Sequence, residues 1–223
     1  MTIVDRNKLT LHEEILLLTL RDEKGTADWG AGFYHYALGG AILAELLLVS
    51  CITIDDTKKH IISIVPGASV GDPVLAEALQ LIQSSKRQKG LEAWVTKMAS
   101  IKKLKHKVAE ELCKKGILRE EEARILGIFK SRRYPELDPE PERNLISRLE
   151  EAIFSEATEV HARTAIVISL AYRSEILKIP FRAKDLRKEK KRIEMIISTD
   201  LIGKATGDVV QAVQAATMIA TMT

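Results

Sequence analysis

The chain has 223 residues, of which 46% are hydrophobic, so it carries enough apolar material for one sizeable core and for a single domain over residues 1–223. Its 34 basic residues nearly balance 31 acidic ones, and a net charge of +3 does not by itself indicate a nucleic-acid-binding protein. The longest apolar stretch, residues 33–54, contains His35 and Glu45. Because a carboxylate at mid-membrane costs about 3 kcal/mol, we interpret this stretch as a buried helix running into a strand.

The first predicted helix covers residues 13–20. Thr10 precedes Glu13 by three residues, which is the spacing of a capping box. The pair at residues 24–25, Lys followed by Gly, is expected to end this helix or to turn out of it.

A second helix is predicted over residues 34–49, with Gly39 and Gly40 inside it. Glycine in a helix interior costs stability and usually has a packing reason. We therefore favour close helix packing at these two positions over a ligand role.

Two short strands are predicted next, over residues 51–54 and 60–65, joined by a turn at residues 55–58. Asp72 and Pro73 then begin a helix with one apolar face. That face comprises Val74, Leu75, Ala78, Leu79 and Ile82.

Further helices are predicted over residues 91–98 and 101–116. In the second of these, apolar residues recur at helical spacing and should face the core, namely Ile101, Leu104, Val108 and Leu112. The remaining predicted helices cover residues 142–155, 160–176 and 183–197, the last with Leu186, Ile193, Ile196 and Ile197 inward, and a final helix begins at Gly207 and Asp208. These elements predict a mainly α fold, a single globular helical domain with one or two small β-hairpins.

No enzyme signature is apparent in the sequence. The five histidines lack metal spacing such as HExxH, and there is no phosphate loop or nucleophile elbow, so we expect no catalytic residues, no metal site and no cofactor. The carboxylates of Glu13, Glu14, Asp55 and Asp56 are typical of a helix start and a turn. Cys51 and Cys113 have no redox or metal spacing and are expected to be reduced structural thiols.

Four segments resemble the Golgi phosphoprotein 3 family, in the order in which that family has them. They are LTLHEEILLLTLRD at residues 9–22, GDPVLAEALQLI at 71–82, VAEELCKKGIL at 108–118 and DVVQAVQAA near the end of the chain. No single segment is specific, but the ordered set spans nearly the whole chain.

The resemblance implies a peripheral membrane protein that binds an anionic phosphoinositide headgroup, phosphatidylinositol 4-phosphate, and that performs no catalysis. It also implies an adapter role in membrane trafficking or enzyme retention, with protein cargo as a partner. The expected location is cytoplasmic and peripherally membrane-associated, on the cytosolic face of the Golgi if the source is eukaryotic.

By motif position, the headgroup site would consist of Trp29, Lys102 and Lys105. A phosphorylated ring needs several cations on one surface, ideally beside an interfacial aromatic. Lys102 and Lys105 are three residues apart, and on a helix that spacing places both on one face. Two other interpretations stay open, a merely solvated basic face over residues 102–107 and a core or loop-packing role for Trp29.

Two departures from the family pattern are visible. Gly39 stands where the family has an arginine, which puts affinity or headgroup choice in doubt; His35, Lys103 or Lys107 are candidates to compensate. Only residues 1–8, with two basic side chains, precede the first segment. We therefore do not expect vesicle-coat binding, and the short arm suggests a prokaryotic or divergent member.

An apolar run lies directly beside a basic one within residues 125–134. We interpret it as a hairpin that contacts the bilayer through Ile125, Leu126, Ile128, Phe129, Lys130, Arg132, Arg133 and Tyr134. Basic residues near an anionic surface contribute about 1 kcal/mol each. The alternatives are a strand packed on the core or a homo-oligomer contact, which the family resemblance also implies for this hairpin.

The main alternative function is nucleic-acid binding through a winged-helix-like arrangement. Lys58 and Lys59 lie at the tip of the first predicted hairpin, as in a wing. However, residues 102–107 offer only Lys and His as polar side chains, and Glu110 and Glu111 follow closely. Because base edges are read mainly by Arg, Asn and Gln, we expect backbone contacts at most, and nucleic acid is an unlikely partner.

Overall fold

A computed structural model describes residues 8–20, 34–125 and 129–198, together with 215, 218 and 219. For residues 123–125 and 129–131 it describes the backbone alone. The predicted elements at residues 24–25 and 207–208 lie outside the described residues.

The described part of the chain is mainly helical, as predicted. The helices are α1 (Leu11–Leu17), α2 (Tyr34–Leu48), α3 (Pro73–Gln83), α4 (Leu91–Ala99), α5 (Leu104–Lys114), α6 (Glu140–Phe154), α7 (Ala162–Arg173), α8 (Ala183–Lys188) and α9 (Lys190–Ile197), with a 3₁₀ turn at Ile176–Lys178. Two antiparallel hairpins interrupt them, β1 (Ile52–Ile54) with β2 (Ile62–Ile64), and β3 (Glu121–Ile125) with β4 (Phe129–Arg133).

Local signals place several of these elements where the sequence predicted them. The Glu13 carboxylate accepts a hydrogen bond from the Thr10 backbone N–H at 2.8 Å, which is half of the predicted capping box. The Asp72 side chain caps α3 by accepting from the Leu75 N–H at 2.8 Å. In the first hairpin, Asp55 Oδ1 accepts from the Ile61 N–H at 2.7 Å and organises the turn.

Two of the predicted helices differ from the structure in a way that matters for the site or the surface charge. The helix expected over residues 101–116 begins at Leu104, because Lys103 adopts a left-handed backbone conformation with φ 59°. The helix expected over residues 183–197 is two helices, since Glu189 has dihedrals of −90° and 13° between α8 and α9.

Helix α2 is central to the fold and packs against α1, α3, α4 and α7. Buried residues of all these helices belong to one hydrophobic cluster, which includes the predicted inward positions Ile101, Leu104, Val108 and Leu112. On burial, such side chains contribute roughly 25 cal/mol per Å² of apolar surface. The core therefore holds α5 and its basic first turn in place against α1 and α3.

The two glycines of α2 are packing positions, as the sequence favoured. A Cβ on Gly39 would lie 2.8 Å from the Val95 carbonyl oxygen of α4. A Cβ on Gly40 would lie 2.9 Å from side-chain carbons of Leu170 and Ile219. Glycine therefore lets α2 approach both neighbours closely.

Candidate headgroup-binding site

The basic segment at the start of α5 opens with a tight turn rather than with helix. The Leu104 N–H donates to the Ile101 carbonyl at 3.1 Å, and both of these side chains are buried. Lys102 and Lys103 occupy the corners of this turn and are exposed. Lys102 therefore lies before the helix, and the prediction that it shares a helical face with Lys105 is wrong.

Lys105, on the first turn of α5, is half-buried. Burial lowers the pKa of its ammonium below the usual value. Within the described ranges, Lys102, Lys103 and Lys105 have no carboxylate partner. An N-terminal helix end carries partial positive charge, so the local potential here favours an anion.

Lys107 and His35, two of the candidates to compensate for the missing family arginine, are arranged differently from Lys105. Lys107 is paired with Glu77 of α3, so its charge is already largely neutralised. His35 lies on the first turn of α2, with its ring 4.4 Å from that of Tyr36. Gly39 has no room for the side chain of the family arginine, because its Cβ position is filled by the backbone of α4.

The second hairpin is attached to α5 by side-chain contacts at its base. His106 Nδ1 lies 2.8 Å from the Tyr134 hydroxyl, in hydrogen-bonding contact. Arg132 of β4 donates to Glu110 of α5 at 2.8 Å and lies 3.2 Å from Glu120. The basic turn and the hairpin, which the sequence suggested separately, are thus parts of one region of the molecule.

His106 itself is a residue that the sequence did not single out. Its pKa is lowered by burial first, and then by the nearby charges of Lys105 and Arg132. Glu110 acts in the opposite direction and Lys103 in the same direction. The folded protein therefore disfavours the protonated form of His106, and a bound anion would oppose that shift of its pKa.

Several predicted site residues cannot be placed. Trp29, Leu126 and Ile128 lie outside the described residues, and only the backbone is described for Ile125, Phe129 and Lys130. Of the remaining hairpin residues, Arg132 is exposed and Arg133 half-buried. Tyr134 follows the end of β4 and is 0% exposed, so it offers no surface to a bilayer and belongs to the core instead.

A buried polar network behind α1 also escaped the sequence analysis. Arg163 of α7 donates to both carboxylate oxygens of Glu45, at 3.1 and 2.7 Å, and to the Leu9 carbonyl at 2.8 Å. Arg148 of α6 lies 3.0 Å from Glu14. Burial raises the pKa of Glu14, since its desolvation outweighs the attraction of the two arginines. Glu14 is therefore more than the helix-start carboxylate that was predicted, because it joins α1 to α6 and α7.

Residues 8–20, 34–125 and 129–198 contain no group of three or more His, Cys, Asp or Glu side chains able to hold a metal ion. In the same part of the chain, no helix has both the length and the apolar character needed to cross a membrane.

The family resemblance noted in the sequence extends over most of the chain. A model of the family described as Golgi phosphoprotein 3 (GPP34) matches residues 11–213. The chain belongs to this family.

A curated relative is the vacuolar protein sorting-associated protein 74 of Schizosaccharomyces pombe. It is 25% identical to this chain over 185 residues, which cover 74% of the chain and 54% of the relative. The chain thus spans about half the length of that relative.

Proposed function

We propose that this protein is a peripheral membrane protein that binds the phosphorylated headgroup of a phosphoinositide, phosphatidylinositol 4-phosphate, through Lys102 and Lys105. Trp29 lies beside the headgroup in this proposal. The observation that carries the proposal is the half-buried Lys105 ammonium, which has no carboxylate partner among the described residues.

The charge arrangement supports an anionic ligand. A desolvated ammonium without a counter-ion is costly, and a phosphate oxygen would compensate it with a charge-assisted hydrogen bond. Lys102 and Lys103, exposed in the preceding turn, supply further positive charge at the same helix end. Since these cations are lysines, they act as point charges rather than as bidentate clamps.

The hairpin supplies the second half of the proposal, a contact with the bilayer surface. Its base is held to α5 through Tyr134 and Arg132, so a membrane bound at the basic turn lies near β3 and β4. We assign the contact to Ile125, Leu126, Ile128, Phe129, Lys130, Arg132 and Arg133, and leave out Tyr134 because it is buried. The same hairpin is a candidate for homo-oligomer contacts.

Family membership supports an adapter role rather than catalysis. The relative's name associates it with vacuolar protein sorting. We extend to this chain the function of a trafficking or retention adapter that holds protein cargo at the cytosolic face of a membrane.

Vesicle co-sedimentation tests the headgroup site. Neutral, phosphatidylserine-containing and phosphatidylinositol-4-phosphate-containing vesicles are compared at two salt concentrations, with the Lys102→Ala/Lys105→Ala variant beside wild type. The matched control is Lys58→Ala/Lys59→Ala, which removes the same charge from two exposed lysines of the first hairpin.

Selective binding to the phosphoinositide vesicles that only Lys102→Ala/Lys105→Ala abolishes is the expected result. Binding that follows total negative charge, fades with salt and is lost equally in both variants would reduce the protein to non-specific adhesion. Absence of binding to all vesicles would refute the proposal, and a duplex-DNA shift assay on the Lys58→Ala/Lys59→Ala variant would then test the winged-helix alternative.

A further inference from the structure

The segment from Arg182 to Arg192 carries a larger net positive charge than residues 102–107 of the proposed headgroup site. Its 11 residues contain seven Lys or Arg and two Asp or Glu, so its net charge is 7 − 2 = +5, whereas the whole chain carries +3. The remainder of the chain is therefore net negative, at 3 − 5 = −2. Helices α8 and α9 present this charge at the end of α7.

Part of this charge serves the fold. Arg192 donates to the carbonyls of Ala152 and Ala157, at 2.7 and 2.8 Å, and so ties α9 to the end of α6. Lys188 is paired with Asp185 at 2.9 Å, and Lys190 lies 3.7 Å from Glu194. The Arg192 hydrogen bonds fix the position of α9. The other cations of the segment have no carboxylate partner within the described chain.

A cavity of about 360 Å³ lies where α7, the 3₁₀ turn and α8–α9 meet. Its size falls within the range of small-molecule sites, roughly 300–1,000 Å³. Buried Leu177 and Leu186 form part of its wall, together with the half-buried Tyr172. These residues belong to the core cluster or pack against it, so the hydrophobic core holds this wall of the cavity in place.

Cations reach this cavity from four separate elements. They are Arg173 of α7, Lys178 of the 3₁₀ turn, Arg187 of α8 and Lys190 of α9. Glu175 is the carboxylate among the lining residues, and it is already paired with Lys178. The lining charge is therefore 4 − 1 = +3. A solvated helix face spreads its cations around one helix, whereas here they converge on one concavity.

The geometry points to a second anion-binding site in this cavity, distinct from Lys102 and Lys105, for a ligand that carries a phosphate group. Arg173 and Arg187 are its main ligands, since neither has a carboxylate partner among the described residues, and Arg173 is positioned over the Tyr172 ring at 6.0 Å. Two guanidinium groups match the several oxygens of a phosphate, which carries about two negative charges near neutral pH. A single carboxylate would neutralise less of the lining charge.

The test is calorimetric titration of the full chain with inorganic pyrophosphate at low ionic strength, and in parallel co-sedimentation with phosphatidylinositol-4-phosphate vesicles. Wild type is compared with Arg173→Ala/Arg187→Ala. The matched control is Lys184→Ala/Lys191→Ala, which removes the same charge from exposed positions of the same segment that do not line the cavity. Unchanged circular dichroism and melting temperature verify that each variant is folded.

The arginine variant should bind at least about tenfold more weakly than wild type, as expected for the loss of charge-assisted contacts, while the lysine control changes less than about twofold. Pyrophosphate binding assigns a soluble phosphorylated ligand, and arginine-dependent binding to the vesicles alone assigns a lipid headgroup. Equal weakening in both variants would show diffuse electrostatic attraction and overturn the site, as would the absence of binding in both arms. Because Lys102→Ala/Lys105→Ala leaves this cavity intact, that variant should retain the arginine-dependent part of pyrophosphate binding.

Discussion

Replacing Arg163 by Met should be among the most damaging single changes available in this protein. The substitution keeps an unbranched side chain of similar length but removes the guanidinium. It eliminates two hydrogen bonds to Glu45, at 3.1 and 2.7 Å, and one to the Leu9 carbonyl at 2.8 Å. Glu45 is only 5% exposed, so its charge would remain buried with the Leu11 N–H as its nearest polar contact.

The expected loss follows from that stranded carboxylate. Breaking a buried ion pair by removing one partner typically costs about 3–5 kcal/mol of unfolding free energy. For a chain of this size, each kcal/mol corresponds to about 2–4 °C, so the melting temperature should fall by roughly 6–20 °C. The exposed pair Lys178–Glu175 gives the contrast, since Lys178→Met should cost less than about 1 kcal/mol.

Differential scanning calorimetry or thermal circular dichroism measures both variants under one buffer condition. Adding Glu45→Gln to Arg163→Met removes the stranded charge, and the double variant should therefore be more stable than Arg163→Met alone. If Arg163→Met melts within about 2 °C of Lys178→Met, a shift of less than 1 kcal/mol, or if Glu45→Gln brings no recovery, then this network does not stabilise the fold as we infer.

Three further predictions concern packing, pH and thiol reactivity. Gly39→Ala should destabilise by about 1–3 kcal/mol through overpacking, whereas Gly71→Ala, whose Cβ would meet nothing within 4 Å, should be neutral in the same melting assay; equal effects would contradict the close helix approach. Headgroup binding should strengthen as pH falls into the range in which His106 titrates, because an anion raises the lowered pKa of His106 and binding then takes up a proton; His106→Gln should flatten this dependence in vesicle titrations, and an unchanged profile would place the anion elsewhere. Burial and nearby glutamates raise the pKa of Cys113 to about 11, so iodoacetamide at pH 8 should modify it about 100-fold more slowly than a free cysteine, and rapid labelling followed by mass spectrometry would refute this environment.

The sequence by itself determined most of the secondary structure and the apolar positions of the core. The capping residues Thr10, Glu13 and Asp72 and the apolar periodicity of α3 and α5 act over three or four residues. Such signals are complete within a short window, because helical side chains three and four positions apart face the same way.

The start of α5 depended on tertiary packing. Periodicity alone extends the helix back to Ile101, but both Ile101 and Leu104 are buried, and the chain between them turns through a left-handed Lys103. A non-glycine residue in that region is uncommon and has no reliable sequence signal. This conformation, rather than the spacing of the lysines, determines that Lys102 lies in a turn before the helix that carries Lys105.

The contacts that organise the fold and the candidate sites join residues far apart in the chain. Arg163 and Glu45 are 118 residues apart, and His106 and Tyr134 are 28 apart. The cavity at Arg173 and Arg187 likewise forms where separate elements meet. Charge and hydrogen-bonding capacity are visible in the sequence. Ion pairs and hydrogen bonds act only over a few ångströms, so the distances between packed helices determine which groups pair and which remain available to a ligand.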